Sequence, residues 1–381
     1  MRVLLVVKGF DFGGAENHVR ELANSLCERG HDVFVIAGRG RQVSLLSEAV
    51  KYKELTMRDL LIPFQIAFIW LFLIRHNIQI VHAHQRLPIL LSSMAGKIAG
   101  IPIIATVHGR TKYDLRYSVS RRVPARFIFV SNQVLQVSAK RDEIISRSVI
   151  VQNWATVTPQ VVGKRNDSIC YISRIDKKHS SVILLILSDV IEPLMAKNPG
   201  LTFTVIGEGD SLETLRTAAE NVNLKLKREA CFIAGFNPDV RETIRQSGLV
   251  IGVGRVAIKA LSCGTPLLSV NVKHMGTVIS TLSYREYMRN NFLDVAAGPP
   301  SAGGLIERIE EYLNDPRFWQ NEARLLQQLI SEDFNKHQLL SVIEDIYETA
   351  VYTDYEPVVA SAAAVTGSLL RHPADSFSAP P

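Results

Sequence analysis

Apolar positions along the chain fall into two rhythms. Short continuous runs at residues 2–7, 32–37, 78–84, 102–107, 126–130 and 148–151 read as strands covered on both faces. Between them apolar residues recur at helical spacing, as with Val19, Leu22, Ala23 and Leu26 inside 15–29, and helices are predicted over 60–76 and about 88–99. The polar stretch 163–168, GKRNDS, is the candidate linker, and beyond it the pattern restarts. Strands are predicted at 169–172, 201–206, 230–234, 249–251 and 266–270, with helices over 182–196, 211–221, 239–246, 255–263, 303–314, 316–331 and 336–351. Repeated βα units imply right-handed crossovers and doubly wound sheets. The expectation is two Rossmann-like domains, 1–162 and 163–335, facing across a cleft. Helix 336–352 would pack back on the first domain, and 353–381, rich in Ala, Ser and Pro without an apolar face, reads as disordered. Segments 40–58 and 110–124 carry no readable pattern.

The run LLIPFQIAFIWLFLI, residues 60–74, resembles a membrane span but has only 15 residues and contains Pro63 and Gln65. A span needs about 20. A buried or interface-lying helix is the expectation; if exposed, it would dock on a bilayer with help from Arg58 and Arg75. The opening MRVLLVV stops at Lys8 with no small-residue cleavage site after it, and reads as a first strand rather than a signal peptide.

Composition narrows the classes. In 381 residues, 47% are hydrophobic, 21% charged and 7% aromatic, a globular profile. The net charge is +6 and the pI about 9.1, which suits anionic ligands or a membrane surface. No basic stretch interleaved with aromatics argues for nucleic acid, and none is expected as partner. Cys27, Cys170, Cys231 and Cys263 are far apart and form no CxxC pair, as expected of reduced thiols in a cytoplasmic protein.

Candidate chemistry sits at strand ends. GVGRVAIKALSCGTP, residues 252–266, reads as a strand turning through Gly252 and Gly254 into a helix that Gly264 and Pro266 stop. Such a helix start offers free N–H groups and a positive dipole end to a phosphate, and Arg255 adds a fork of donors. Gly13 and Gly14 follow the first strand, where they serve equally as a phosphate loop or a plain turn. The strand at 169–172 runs into Ser173-Arg174-Ile175-Asp176-Lys177-Lys178, either cations at a cleft mouth or a solvated loop. Gly207 and Gly209 end another strand. His108 ends the strand 102–107, as catalytic group or structural residue. His82 and His84 share one face of a strand with no third ligand in view, so no metal is expected. Residues 252–257 also match the dinucleotide fingerprint G-x-G-x-x-G/A, but no carboxylate follows at the ribose distance.

Taken together, GGAENHVRELANSLCERGHDVFVIAG, VHAH, ATVHG, SRIDKK, TFTVIGEGD and ALSCGTPLLS resemble the family-four glycosyltransferases of the GT-B fold over about residues 1–350. The resemblance implies retaining transfer of a sugar from a nucleoside diphosphate sugar to a hydroxyl acceptor, without a metal or other cofactor. Gly13 and Gly14 match the glycine loop beside the donor diphosphate, Arg174 the arginine on its phosphates, and Gly207 and Gly209 the turn near the nucleotide. His108 matches a histidine lining the donor-sugar and acceptor pocket. The companion lysine's position holds His179, so Lys177 or Lys178 would substitute.

One departure is chemical. Lys259 stands in K-A-L-S-C-G where the family carries the glutamate that accepts hydrogen bonds from the ribose, and no acidic residue occurs from Ser247 to Lys259. An ammonium has three donors and no acceptor. Either the ribose is held differently, Lys259 serves an anionic group, or donor binding is lost. The expectation is a cytoplasmic glycosyltransferase, peripheral at the inner membrane face, acting on an unknown hydroxyl acceptor, lipid-linked in envelope or exopolysaccharide assembly. The alternatives are a catalytically silent GT-B binding protein and a nucleotide-sugar epimerase.

Overall fold

The structure is a computed structural model that describes residues 1–11, 13–109, 114–138, 142–158, 167–237 and 239–352. The chain divides into two compact units. The first comprises Met1–Val130, Val134–Val151 and the stretch from Leu340 onward; the second holds Gln152–Leu339 and Ser131–Gln133. The polar stretch 163–168 begins outside the described residues and ends in the first strand of the second unit. The tail from 353 also lies outside them.

Seven described strands form the first sheet: β1 (Arg2–Val6), β2 (Asp32–Ala37), β3 (Lys51–Glu54), β4 (Ile80–His84), β5 (Ile103–Val107), β6 (Arg126–Phe129) and β7 (Ser148–Ile150). Their order is β3-β2-β1-β4-β5-β6-β7, and every pairing is parallel. β4 and β5 are buried end to end and β1 from Val3 onward, as their continuous apolar runs require. Helix α1 (Gly14–Glu28) follows β1. Helices α2 (Ile62–Arg75), α3 (Arg86–Ala99) and α4 (Ser118–Arg122) are layered side by side, α3 touching both neighbours. Two short helices, α5 (Asn132–Ser138) and α6 (Asp142–Ile145), precede β7. The core under α2 and α3 includes Leu4, Val6, Ile69, Leu73, Val81, Ala83, Leu91 and Phe127.

The second sheet has the order β10-β9-β8-β11-β12-β13. Its strands are β8 (Ser168–Ile172), β9 (Thr202–Ile206), β10 (Cys231–Gly235), β11 (Leu249–Ile251), β12 (Leu267–Val270) and β13 (Met275–Val278). Five run parallel and β13 pairs antiparallel at the edge. The helix expected over 182–196 is interrupted: α7 (Ser180–Leu185) passes through a π-turn at Ile186–Val190 into α8 (Ile191–Lys197). Pro193 explains the break, because its ring excludes the regular bond to Asp189 four residues back. The remaining helices are α9 (Leu212–Leu226), α10 (Arg241–Gln246), α11 (Arg255–Ser262), α12 (Tyr284–Arg289), α13 (Ala302–Asn314), α14 (Pro316–Asp333) and α15 (Lys336–Tyr352).

From Leu340 onward α15 belongs to the first unit. There Glu344 pairs with Arg29 and with His31, the latter at 3.0 Å, and Tyr347 reaches His82 at 2.6 Å. All four cysteines are free; burial pushes the Cys170 and Cys231 thiols up to about 12, so neither is a nucleophile near neutral pH.

Candidate active site

In each sheet the strand order reverses beside the first strand, between β1 and β4 and between β8 and β11. Ligands of open α/β sheets bind outside the carboxyl ends of strands at such switch points. Both predicted clusters lie there. In the second unit Arg174 follows β8, Gly207 and Gly209 follow β9, and Gly254 with Arg255 follows β11, so three adjacent strands carry them.

Backbone bonds hold these loops together. Ser173 N–H donates to Ile206 O at 3.1 Å, Ile175 N–H to Glu208 O at 2.9 Å, and Ser211 N–H to Ile175 O at 3.0 Å. A Cβ on Gly207 would overlap Ser173 O, and one on Gly209 (φ +157°) would overlap Ile175 O. Both glycines thus serve close backbone approach, which fixes the arginine loop from beneath. Asp176 closes that loop: its carboxylate accepts from the backbone N–H groups of Lys178 (3.0 Å) and His179 (2.9 Å) and pairs with His179 Nδ1 at 2.7 Å. The His179 backbone donor, then its ring, hold the Asp176 carboxyl below its usual range. His179 is therefore spent on capping. Arg174, Lys177 and Lys178 are exposed.

Gly254 caps α11 at φ +59°, donates to Asn291 O at 3.0 Å, and leaves room for the Asn291 side chain, 3.2 Å from where a Cβ would stand. Arg255 donates to Asn153 Oδ1 at 3.3 Å. Arg255 and Lys259 lie one turn apart on α11, both half-buried. Like charges at that spacing repel; Arg255 stands at the positive N-terminal end of the helix, whereas Lys259 lies in its last turn. Gly264 (φ +62°) ends the helix as predicted, with Thr265 N–H reaching back to Ala260 O at 3.0 Å.

In the first unit Gly13 caps α1 in extended conformation, and Gly14 is the first helical residue. A Cβ on Gly13 would overlap the Glu16 carboxylate, which folds back over the helix start. Gln85 donates to Glu16 Oε1 at 2.7 Å and accepts from Lys8 N–H at 3.2 Å. Gln85 holds φ +70°, an uncommon conformation at the end of β4. These three residues, with Gly9, Gly38, Arg39, Thr56 and Met57, line a hollow of about 520 Å³.

His108 joins a histidine cluster that spacing alone did not reveal. His84 Nδ1 lies 3.0 Å from His108 Nε2, and His18 from α1 packs its ring 5.1 Å from that of His108. His82 stacks on His84 at 4.3 Å and bridges Tyr347 and Thr106 at 2.6 Å each. Burial drives the pKa of both His82 and His84 well below 6.5, and neighbouring rings push the same way. Both are neutral at physiological pH. His84 Nε2 is buried without a partner; a proton on Nδ1, donated to His108, avoids an orphaned N–H at Nε2. Asp114, which no sequence signal marked, accepts from the backbone N–H groups of Arg86 and His108, and burial raises its pKa to about 6. Among the described residues no group of three or more His, Cys, Asp or Glu side chains could hold a metal ion.

Two Rossmann-like units, each with a switch point in its sheet, make this a two-domain α/β protein of GT-B architecture. Residues 12–155 match the family model described as Glycosyltransferase Family 4, and residues 159–328 match Glycosyl transferases group 1. The chain belongs to the family-four glycosyltransferases. It is 21% identical to a Mycobacterium tuberculosis glycogen synthase over 94% of this chain and 97% of that one. Identity to a phosphatidyl-myo-inositol mannosyltransferase of Propionibacterium freudenreichii is 24%, over 68% of this chain and 74% of the relative. Among solved structures, Anabaena Alr3699/HepE in complex with UDP and glucose aligns with TM-score 0.70 and 16% identity, covering 91% of this chain and 99% of that one.

Proposed function

We propose that the protein transfers a sugar, with retention of anomeric configuration, from a nucleoside diphosphate sugar to a hydroxyl acceptor. The observation that supports this is the placement of Arg174, Lys177 and Lys178 in the loop after β8 and of Arg255 and Lys259 on the helix after β11, the two strands that flank the switch point, with Gly207 and Gly209 packed against the arginine loop. In the reaction the bond from C1 to the diphosphate breaks and a bond from C1 to the acceptor oxygen forms; the hydroxyl proton leaves with the phosphate. Charge grows on the diphosphate, and fixed cations aimed there lower the barrier. Arg174 and Lys178 are the phosphate partners in this reading, and Lys259 takes an anionic group of the donor in place of ribose. Gly13 and Gly14 keep the backbone role that the resemblance gives them, and Gly207 and Gly209 the nucleotide-side turn.

The acceptor is assigned to the hollow lined by Lys8, Glu16, Gln85 and Thr56, whose carboxylate, amide and hydroxyl suit a polyol headgroup. His108, which follows β5, is the catalytic candidate in this reading. A lipid-linked acceptor, met at the cytoplasmic face of the membrane in glycolipid or exopolysaccharide assembly, fits the lipid-modifying relatives; no metal or cofactor is needed. Calorimetry with a panel of nucleotide sugars tests the proposal. One donor should bind and be slowly hydrolysed, and Arg174→Ala should weaken it about 10- to 100-fold, one charge-assisted hydrogen bond being worth about 1.5–3 kcal/mol. Lys259→Glu separates the two uses of that position: tighter binding places it at the ribose, weaker binding at an anion. Silence across the panel would leave a GT-B protein that binds without catalysis.

A further inference from the structure

Helix α2 is built inside out. Its inward side buries only Gln65, Ile69 and Leu73. Gln65, the polar member, is consumed locally: it donates to Arg58 O at 2.7 Å and accepts from Arg58 N–H at 2.9 Å, closing the turn that enters the helix. The outward side carries Phe64, Ala67, Leu71 and Ile74, spaced by three or four residues, with Trp70 beside them and Leu60 in the 3-10 turn that leads into the helix. Leu60 is 93% exposed, Phe64 77%, Leu71 58% and Ile74 52%. A helix packed on a sheet ordinarily shows water its polar side. Here an apolar stripe faces outward, and Ile98, near the end of the neighbouring α3, is also exposed, at 61%.

Charge identifies what covers the stripe. From Arg58 to Arg126 the chain holds 10 Lys and Arg against 2 Asp and Glu. Arg58 and Arg75 flank the stripe, and Lys97, Arg116 and Arg122 are exposed on the same helical layer and its connections. Residues 1–151 carry 21 basic against 11 acidic side chains, the rest of the chain 22 against 26. A second copy on this face would set cations against cations across a two-fold axis. An anionic lipid surface offers hydrocarbon to the stripe and negative headgroups to its basic rim. No described helix is long and apolar enough to cross a membrane, and the 14 residues of α2 make a rod of about 21 Å, suited to lying in the interface.

We propose that α2 is the membrane-docking element of this protein, inserting the Leu60–Phe64–Leu71–Ile74 stripe into an anionic bilayer. Thr56 and Met57 line the hollow assigned to the acceptor, and Leu60 follows Met57 by three residues in the chain. A lipid-linked acceptor would keep its apolar chain in the layer that receives α2 while its hydroxyl headgroup enters the hollow. That last step rests on the transferase reading; the docking does not.

Co-flotation of the full chain with phosphatidylcholine vesicles, with and without one quarter phosphatidylglycerol, tests the docking without any assay of transfer. The protein should float with the anionic vesicles, lose at least tenfold in binding as the double variant Phe64→Ser/Leu71→Ser, and lose binding in high salt more steeply than in low. Trp70 provides a second readout on the unaltered protein, since Trp154 and Trp319 are buried. Bromine-labelled lipid should quench the exposed indole. Absence of flotation and of quenching, or a double variant that floats as well as the parent, overturns the proposal. A concentration-dependent dimer abolished by the same double variant overturns it too, giving the face to a second copy. Donor binding by calorimetry is unaffected by any of these outcomes, so a failed transferase reading is seen separately.

Discussion

Buried histidines give the first unit a pH dependence of definite sign. His82 and His84 are held neutral well below 6.5, whereas the unfolded chain takes up protons on both near that value. As pH falls below about 6.5 the unfolded state binds more protons, and each histidine removes about 1.4 kcal/mol per pH unit. Asp114 works the other way: with its folded pKa raised to about 6 from 3.8, the folded state gains a proton first, and stability rises as pH falls through that window. Between about pH 5 and 6 one carboxyl offsets one of two histidines. Urea unfolding should therefore show a net loss near 1.4 kcal/mol per pH unit there, and His84→Gln should flatten it. A profile independent of pH would mean the rings are not shielded from water.

Among elements, the ones that position the candidate site were the most legible. Residues 2–7, 32–37 and 201–206 announce buried parallel strands by unbroken apolar runs, and the structure has strands there. The α11 corner was readable because Gly254, Gly264 and Pro266 mark a turn, a cap and a stop. Strand β3, KYKE, was hidden because an exposed edge strand needs no apolar side chains; its lysines also discourage pairing with a further strand. The antiparallel β13 and short helices such as α12 are tertiary choices with no periodic signal. Within the site, the pairing of Glu16 with Gln85 and of His84 with His108 joins residues 69 and 24 positions apart, which periodicity does not register. The interlocked loops make a further prediction. Gly207→Ala drives a methyl group into Ser173 O and should cost about 1–3 kcal/mol by chemical denaturation, with donor binding falling more than Ser173→Ala lowers it. A neutral substitution would show that the arginine loop is not held from beneath.

At the scale of the whole chain, the last described helix is a working part of the first unit. Tyr347→Phe removes the hydroxyl on His82 Nδ1 and leaves a fully buried ring nitrogen without its partner. The expected loss is about 1–3 kcal/mol, read as a lower urea midpoint; an unchanged midpoint would detach α15 from the stability of this unit. Glu344, paired with Arg29 and His31 from the first helix and turn, ties the same two regions from the surface.

The first unit is thus assembled from both extremes of the sequence, with nearly two hundred residues of another unit intervening. During synthesis the sheet emerges early, but the side chains that complete His82, Arg29 and His31 leave the ribosome after the whole second unit has done so. Until then the imidazole of His82 lacks the hydroxyl that meets it in the finished fold. Its native packing therefore waits on synthesis of the second unit, and a chain cut short of Tyr347 would have a sheet that lacks this clasp.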